Sequence, residues 1–113
     1  MHELSVVFEV IKAIEKIAEE NQLSEVDTIV LQIGELSSMI PKYIEDCFPA
    51  AIDGTQFEKT KLKIEILIAT ALCKNCNKVF KVVENQGKCQ HCASEEWELL
   101  SGKEFIIKEI IAW

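Results

Sequence analysis

The chain has 113 residues, 49% hydrophobic and 27% charged, with a formal net charge of −7. That bounds it to one folded domain, or one domain with a small insert, and the acidic balance argues against nonspecific binding to nucleic acid, whose phosphates need Lys and Arg. No basic segment leading into an apolar run opens the chain and no apolar stretch nears the roughly 20 residues that span a bilayer, so its five cysteines are expected to be cytoplasmic thiols, available to metals and not to disulfides.

Residues 4–21 read as a helix. Leu4, Val7, Phe8, Ile11, Ile14, Ile17 and Ala18 recur at spacings of three and four and draw one apolar stripe, and Asn21-Gln22 ends it. Residues 26–33 alternate as a strand, with Ile29, Leu31 and Ile33 on one side and Thr28, Val30 and Gln32 on the other, closed by Gly34. Pro41 suits the first turn of a second helix, whose apolar face is Ile44, Cys47, Phe48 and Ala51. Pro49 is expected to kink or shorten that helix, and Asp53-Gly54 to stop it. Cys47 reads as a small buried hydrophobe.

Residues 61–69 form the clearest strand, with Leu62, Ile64, Ile66 and Ile68 on one face. After Ser101-Gly102, residues 104–113 return as a strand on which Phe105, Ile107, Ile111 and Trp113 alternate. The fold class expected is α+β: a small three-stranded sheet with two helices on one face, plus an inserted four-cysteine zinc module. The boundaries expected are 1–69 with 101–113 for the α/β domain, and 70–100 for the module.

The module reads C-K-N-C from Cys73 to Cys76, twelve residues, then C-Q-H-C from Cys89 to Cys92. Each C-x-x-C turn offers two thiolates to one ion, and two turns complete a tetrahedral shell. Zinc is the expected ion at Cys73, Cys76, Cys89 and Cys92; iron in a rubredoxin-like site is its main competitor, and two disulfides the bland alternative. A four-thiolate shell leaves no open position for water, so its role is structural. His91 is read as lying near this shell, exposed or bonded to backbone, and not as a replacement ligand. Between Thr70 and Lys103 stand five Lys and four Glu, without the basic stripe of a nucleic-acid finger.

The chain begins Met1-His2-Glu3. Its amine, the backbone nitrogen of His2 and the His2 imidazole can close fused five- and six-membered chelate rings. A nitrogen-rich set of this kind favours nickel or copper over zinc. The amine must first lose its proton, which its reference pKa of about 7.7–8.0 permits when metal competes.

With these features the chain resembles the HypA/HybF nickel metallochaperones. The likeness rests on Met1-His2-Glu3-Leu4-Ser5, Gly34-Glu35-Leu36-Ser37, Gly54-Thr55, Leu62-Lys63-Ile64-Glu65 and the two C-x-x-C pairs, in that order. The resemblance implies a nickel site at Met1, His2 and Glu3, a structural zinc in the cysteine module, and delivery of Ni(II) to the NiFe-hydrogenase large subunit. It also implies a HypB-type GTPase partner and, in some organisms, service to urease maturation proteins; no G-x-x-x-x-G-K-[ST] loop is present in this chain itself. The sequence departs from the common family pattern at Asn77 and Ala93, where many members carry glycine, and at Gln90, where proline is common.

The reading is therefore a nickel-binding accessory protein and not an enzyme, with no partnership with nucleic acid or membrane. No paired acid and base, no nucleophile with a histidine partner and no open metal site is apparent. Two other classes compete: an interaction or nucleic-acid module built on a zinc ribbon with His2 incidental, and an electron carrier with iron in the cysteines.

Overall fold

The computed structural model describes residues 3–113. In chain order it has α1 (Glu3–Glu20), β1 (Val26–Gly34), α2 (Pro41–Ile52), β2 (Lys61–Leu67), β3 (Thr70–Cys73), β4 (Val79–Lys81), β5 (Trp97–Ser101) and β6 (Phe105–Ala112). The strands form two three-stranded sheets, ordered β2-β1-β6 and β4-β3-β5. Two compact units result. One holds the described residues up to Gln32, then Met39–Glu65 and Ile106–Trp113; the other holds Ile33–Ser38 and Ile66–Phe105.

In the first unit α1 packs on α2. Its buried side chains include Val7, Val10, Ile11 and Ile14 from α1, Ile44 and Phe48 from α2, and Ile29, Val30 and Leu31 from β1. Each contributes roughly 1.5–3 kcal/mol on leaving water. The buried stripe of α1 is turned relative to the expected one. Leu4 and Phe8 are exposed and Val10 is buried instead, because the helix is apolar over an arc wider than the face it covers. The helix ends as expected: Gln22 takes a left-handed φ of 55° and Leu23 N–H donates to Ala18 O at 2.9 Å, a reverse turn of the kind that satisfies terminal carbonyls.

Pro41 occupies the first turn of α2, and the helix runs through Pro49 to Ile52 without being shortened. Asp53 N–H donates to Pro49 O at 3.1 Å and Gly54 follows at φ +72°, so the stop is where Asp53-Gly54 placed it. Val26 O, at the start of β1, accepts from Thr60 Oγ1 just before β2. Gln32 Nε2, near the end of β1, donates to Glu65 Oε1 in β2. The two strands therefore run the same way, joined by α2 as a βαβ crossover. Against β6 the chain reverses: Glu25 and Trp113 exchange backbone hydrogen bonds of 2.9 and 3.0 Å. The last residue is tied down by these bonds and by Trp113 Nε1 to Glu25 Oε2 at 3.1 Å.

The second unit contains a sheet that the sequence pattern did not reveal. β3 pairs antiparallel with both β4 and β5, Ala71 opposite Phe80 on one side and Leu99 on the other. Its core is Ala69, Ala71, Cys73, Phe80, Val82 and Cys89, with Cys76, Trp97 and Leu99 against it. Phe80 and Trp97 meet edge to face at 6.2 Å, and Trp97 Nε1 donates to Gly87 O at 2.9 Å.

Gly34-Glu35-Leu36-Ser37 also belongs to this unit. A Cβ on Gly34 would lie 2.0 Å from Gly102 O, a backbone atom that has no side-chain freedom to move aside. Leu36 N–H donates to that same oxygen at 2.7 Å, and Glu35 Oε1 accepts from Ala69 N–H at 2.7 Å. Glu104 closes the seam, its Oε1 accepting Gly102 N–H, and this bond leads in holding its carboxyl below the ordinary range. The motif is thus a backbone seam joining the β1 end to the turns that flank the cysteine segment.

Candidate metal centre

The four cysteines Cys73, Cys76, Cys89 and Cys92 bring their sulfurs within 4.8 Å of one another, and all are free thiols. The antiparallel strands place the first knuckle at the end of β3, and Cys73 pairs in register with Trp97 of β5. The two knuckles have the same backbone wiring. Cys73 N–H donates to Lys78 O and Asn77 N–H to Cys73 O, both at 2.9 Å. Cys89 N–H donates to Ser94 O at 2.9 Å and Ala93 N–H to Cys89 O at 2.7 Å.

That wiring requires a left-handed residue after each second cysteine. Asn77 has φ 60° and Ala93 φ 62°. Glycine takes this conformation freely and asparagine tolerates it, whereas an alanine Cβ meets the neighbouring carbonyl. The two departures from the common pattern therefore fall where the turn asks for glycine.

Donors surround the sulfurs. Asn75 Nδ2 points at Cys92 Sγ and His91 N–H at Cys89 Sγ, each at 3.4 Å. The Asn75 bond leads in bringing the Cys92 thiol down to about 6, while burial pushes Cys76 up to about 12. Four convergent sulfurs with outer donors that favour thiolate suit a soft, tetrahedral divalent ion. His91 itself is exposed and makes its contact through backbone.

Met1 and His2 lie outside the described residues. Glu3 is buried at the first position of α1, and its Oε2 accepts from Ile40 N–H at 3.5 Å. Ile40 caps α2 without a side-chain acceptor of its own, so Glu3 supplies a carboxylate beside that helix N-terminus, which also favours negative charge. In the sequence Glu3 stands out only through the resemblance, as part of the implied nickel site, and this tie is not visible there; no local pattern links residues 37 apart. Cys47 is half-buried, not buried: it lines a shallow depression of about 370 Å³ with Glu3, Leu4, Tyr43 and Asp46, because the α2 face near its start is left uncovered.

A family profile described as "Hydrogenase/urease nickel incorporation, metallochaperone, hypA" matches residues 1–112. The chain belongs to the HypA family. The hydrogenase maturation factor HypA of Geobacter sulfurreducens is 36% identical over 110 residues, covering 97% of each chain. That of Chlorobium limicola is 34% identical over 110 residues, 97% of this chain and 95% of the relative. Among solved structures, the Ni metallochaperone HypA from Helicobacter pylori superposes with a TM-score of 0.67 at 29% identity, over 99% of this chain and 97% of that one. A second HypA solution structure gives 0.72 at 28% identity, over 100% and 97%. These relatives are described as a hydrogenase maturation factor and a Ni metallochaperone. Among the described residues no helix is long and apolar enough to cross a membrane.

Proposed function

We propose that this HypA-family chain carries Ni(II) to the NiFe-hydrogenase large subunit, with Met1, His2 and Glu3 as the nickel ligands and zinc as a resident structural ion on Cys73, Cys76, Cys89 and Cys92. The observation that supports it most is the convergence of four sulfurs within 4.8 Å in a chain whose match to the nickel-incorporation family spans residues 1–112. The zinc, when bound, supplies cross-linking of the two knuckles and no reactive position. The chain acts as a carrier and not as an enzyme, in the cytoplasm, and without nucleic acid or membrane.

Nickel uptake and release are ligand exchange. Nitrogen ligands at the chain start compete with protons, so uptake strengthens as pH rises through the amine range, about 7.7–8.0. Docking on a HypB-type GTPase or on the hydrogenase offers stronger ligands, and the ion moves down that gradient. Urease maturation proteins are a further recipient. The buried Glu3 carboxylate, tied to Ile40, fixes the start of α1.

The test is a nickel titration of the untagged chain, His2→Ala and a chain extended before Met1. One Ni(II) per untagged chain, lost in both variants, is expected. Equal binding by all three removes the N-terminal site from the proposal. Metal analysis of the purified protein should find zinc; a visible absorption spectrum typical of iron thiolate would favour the electron carrier instead.

A further inference from the structure

Two thiol–thiol contacts cross the cysteine cluster. Cys73 Sγ lies 3.5 Å from Cys92 Sγ, and Cys76 Sγ lies 3.6 Å from Cys89 Sγ. Both join the first knuckle to the second. Each crossed pair also combines an accessible sulfur with a buried one: Cys92 is exposed and Cys73 buried, Cys76 is half-buried and Cys89 buried.

From this geometry we propose that the metal-free centre is a redox site of fixed connectivity. A two-electron oxidant such as hydrogen peroxide closes Cys73–Cys92 and Cys76–Cys89, and neither C-x-x-C closes on itself. Cys92 is the first to react because it is the most exposed of the four cysteines. Its thiolate attacks peroxide, the O–O bond breaks, and Cys92 sulfenic acid and hydroxide form. The Cys73 thiolate then attacks the Cys92 sulfur, and hydroxide leaves as the S–S bond forms. Two thiols and one peroxide give one disulfide and two waters. A second peroxide repeats the sequence with Cys76 as the accessible sulfur and Cys89 as the resolving one.

Each step asks little movement. A disulfide needs a sulfur separation near 2.05 Å, so each pair closes by about 1.5 Å. The backbone turns at Asn77 and Ala93 are held by their bonds to Cys73 O and Cys89 O, so the knuckles keep their shape while the sulfurs close across them. The outcome is a nested pair of cross-links spanning the segment that the zinc would otherwise clamp. Oxidation therefore locks the module closed without metal, and re-entry of metal waits for a dithiol reductant to return both pairs to thiols.

The experiment uses the full chain, stripped of metal by a chelator and treated with hydrogen peroxide, then alkylated and cut with trypsin. Cleavage after Lys63, Lys74, Lys78, Lys88 and Lys103 puts Cys73 on 64–74, Cys76 on 75–78, and Cys89 with Cys92 on 89–103. The crossed connectivity yields one covalent assembly of all three peptides. Fragmentation of that assembly between Gln90 and His91 should leave 64–74 on Cys92 and 75–78 on Cys89. Two separate species, a 64–74/75–78 dimer and an internally looped 89–103, would overturn the proposal. So would the reverse crossing of Cys73 with Cys89, or recovery of sulfinic acids without any disulfide. A Cys76→Ser/Cys89→Ser double variant removes the inner pair and is expected to retain Cys73–Cys92. Cys92→Ser should slow the first oxidation at least about tenfold, since only less accessible sulfurs remain; an unchanged rate contradicts the order given. Protein loaded with zinc should resist peroxide. Equal oxidation with and without zinc counts against the zinc assignment, while the peptide map still decides the pairing.

Discussion

Three residues carry more of this fold than their size implies. Ala93 sits at φ 62° with the turn hydrogen bond to Cys89 O intact. A left-handed L-residue costs roughly 1–2 kcal/mol, from which the greater chain entropy of glycine subtracts about 0.5–1 kcal/mol. Ala93→Gly is thus expected to stabilise the cysteine unit by about 0.5–1 kcal/mol, and Asn77→Gly by less, because asparagine tolerates the conformation. Urea unfolding read by Trp97 fluorescence in a Trp113→Phe background measures this; a destabilised Ala93→Gly would mean that the turn is not under strain. Gly34 is the opposite case. Its substitution by alanine drives a Cβ to 2.0 Å from Gly102 O, so two backbone segments must separate, at a cost of about 3 kcal/mol or more. The same unfolding measurement should show Gly34→Ala far below wild type, with Gly54→Ala milder because nothing stands within 4 Å of its Cβ.

At the scale of elements, the helices and the three longer strands were readable because period and punctuation agreed. Pro41 marked one start, Asn21-Gln22 and Asp53-Gly54 the stops, and alternation marked β1 and β6. What escaped was set by partners distant in sequence. β3, β4 and β5 have only three to five residues each, too few to display a period, and they exist because Phe80 and Trp97 cover Ala71 and the buried cysteines. Pro49 was expected to kink or shorten α2, but the helix runs on to Ile52, where Phe48, Ala51 and Ile52 stay buried. The convergence of the four cysteines was legible, since each C-x-x-C turn presents two sulfurs together. The role of Glu3 toward Ile40 was not.

The sheet β2-β1-β6 adds a pH prediction at this scale. Glu65 on β2 accepts from Lys108 on β6 at 2.8 Å and from Gln32 on β1 at 3.2 Å. Lys108 first, then Gln32, holds the Glu65 carboxyl below its ordinary value, and Glu65 raises Lys108. The unfolded chain then binds a proton on Glu65 more readily than the folded one. Stability from this group is present above the carboxylate range, about 4.3, and is lost as pH falls through the depressed folded value. Lys108 contributes below its unfolded value, about 10.4, and that contribution is lost as pH rises through the raised folded one. Lys108→Met should flatten both arms of the urea midpoint against pH. An acid arm as steep as wild type would show that the bridge across the sheet is solvent-screened to nothing.

At the scale of the whole molecule, one strand serves two bodies. β1 gives Ile29 to the first unit, and its last residues, Ile33 and Gly34, are counted with the second. Amides far from the cysteines in sequence are therefore wired into their unit: Gly34 N–H to Glu104 O at 2.8 Å, Glu35 N–H to Leu67 O at 2.9 Å, Leu36 N–H to Gly102 O at 2.7 Å. The cysteine unit has a small core of Ala, Phe, Val and Cys, and cores of that size lean on a metal for stability. Chelation of the metal should then raise hydrogen exchange at these amides together with those of β3 and β5. The amides of Ile11 and Ile14, inside α1 of the other unit, should stay protected, because local openings follow cooperative units and not sequence distance. The measurement is amide exchange by mass spectrometry with and without chelator, read on peptides covering 33–38, 66–73, 97–105 and 8–16. If exchange rises only between residues 70 and 100, the seam at Gly34 and Gly102 stays closed and the cysteine segment opens alone. If it rises at 33–38 as well, Gly34-Glu35-Leu36-Ser37 opens as one cooperative unit with the segment that carries Cys73, Cys76, Cys89 and Cys92.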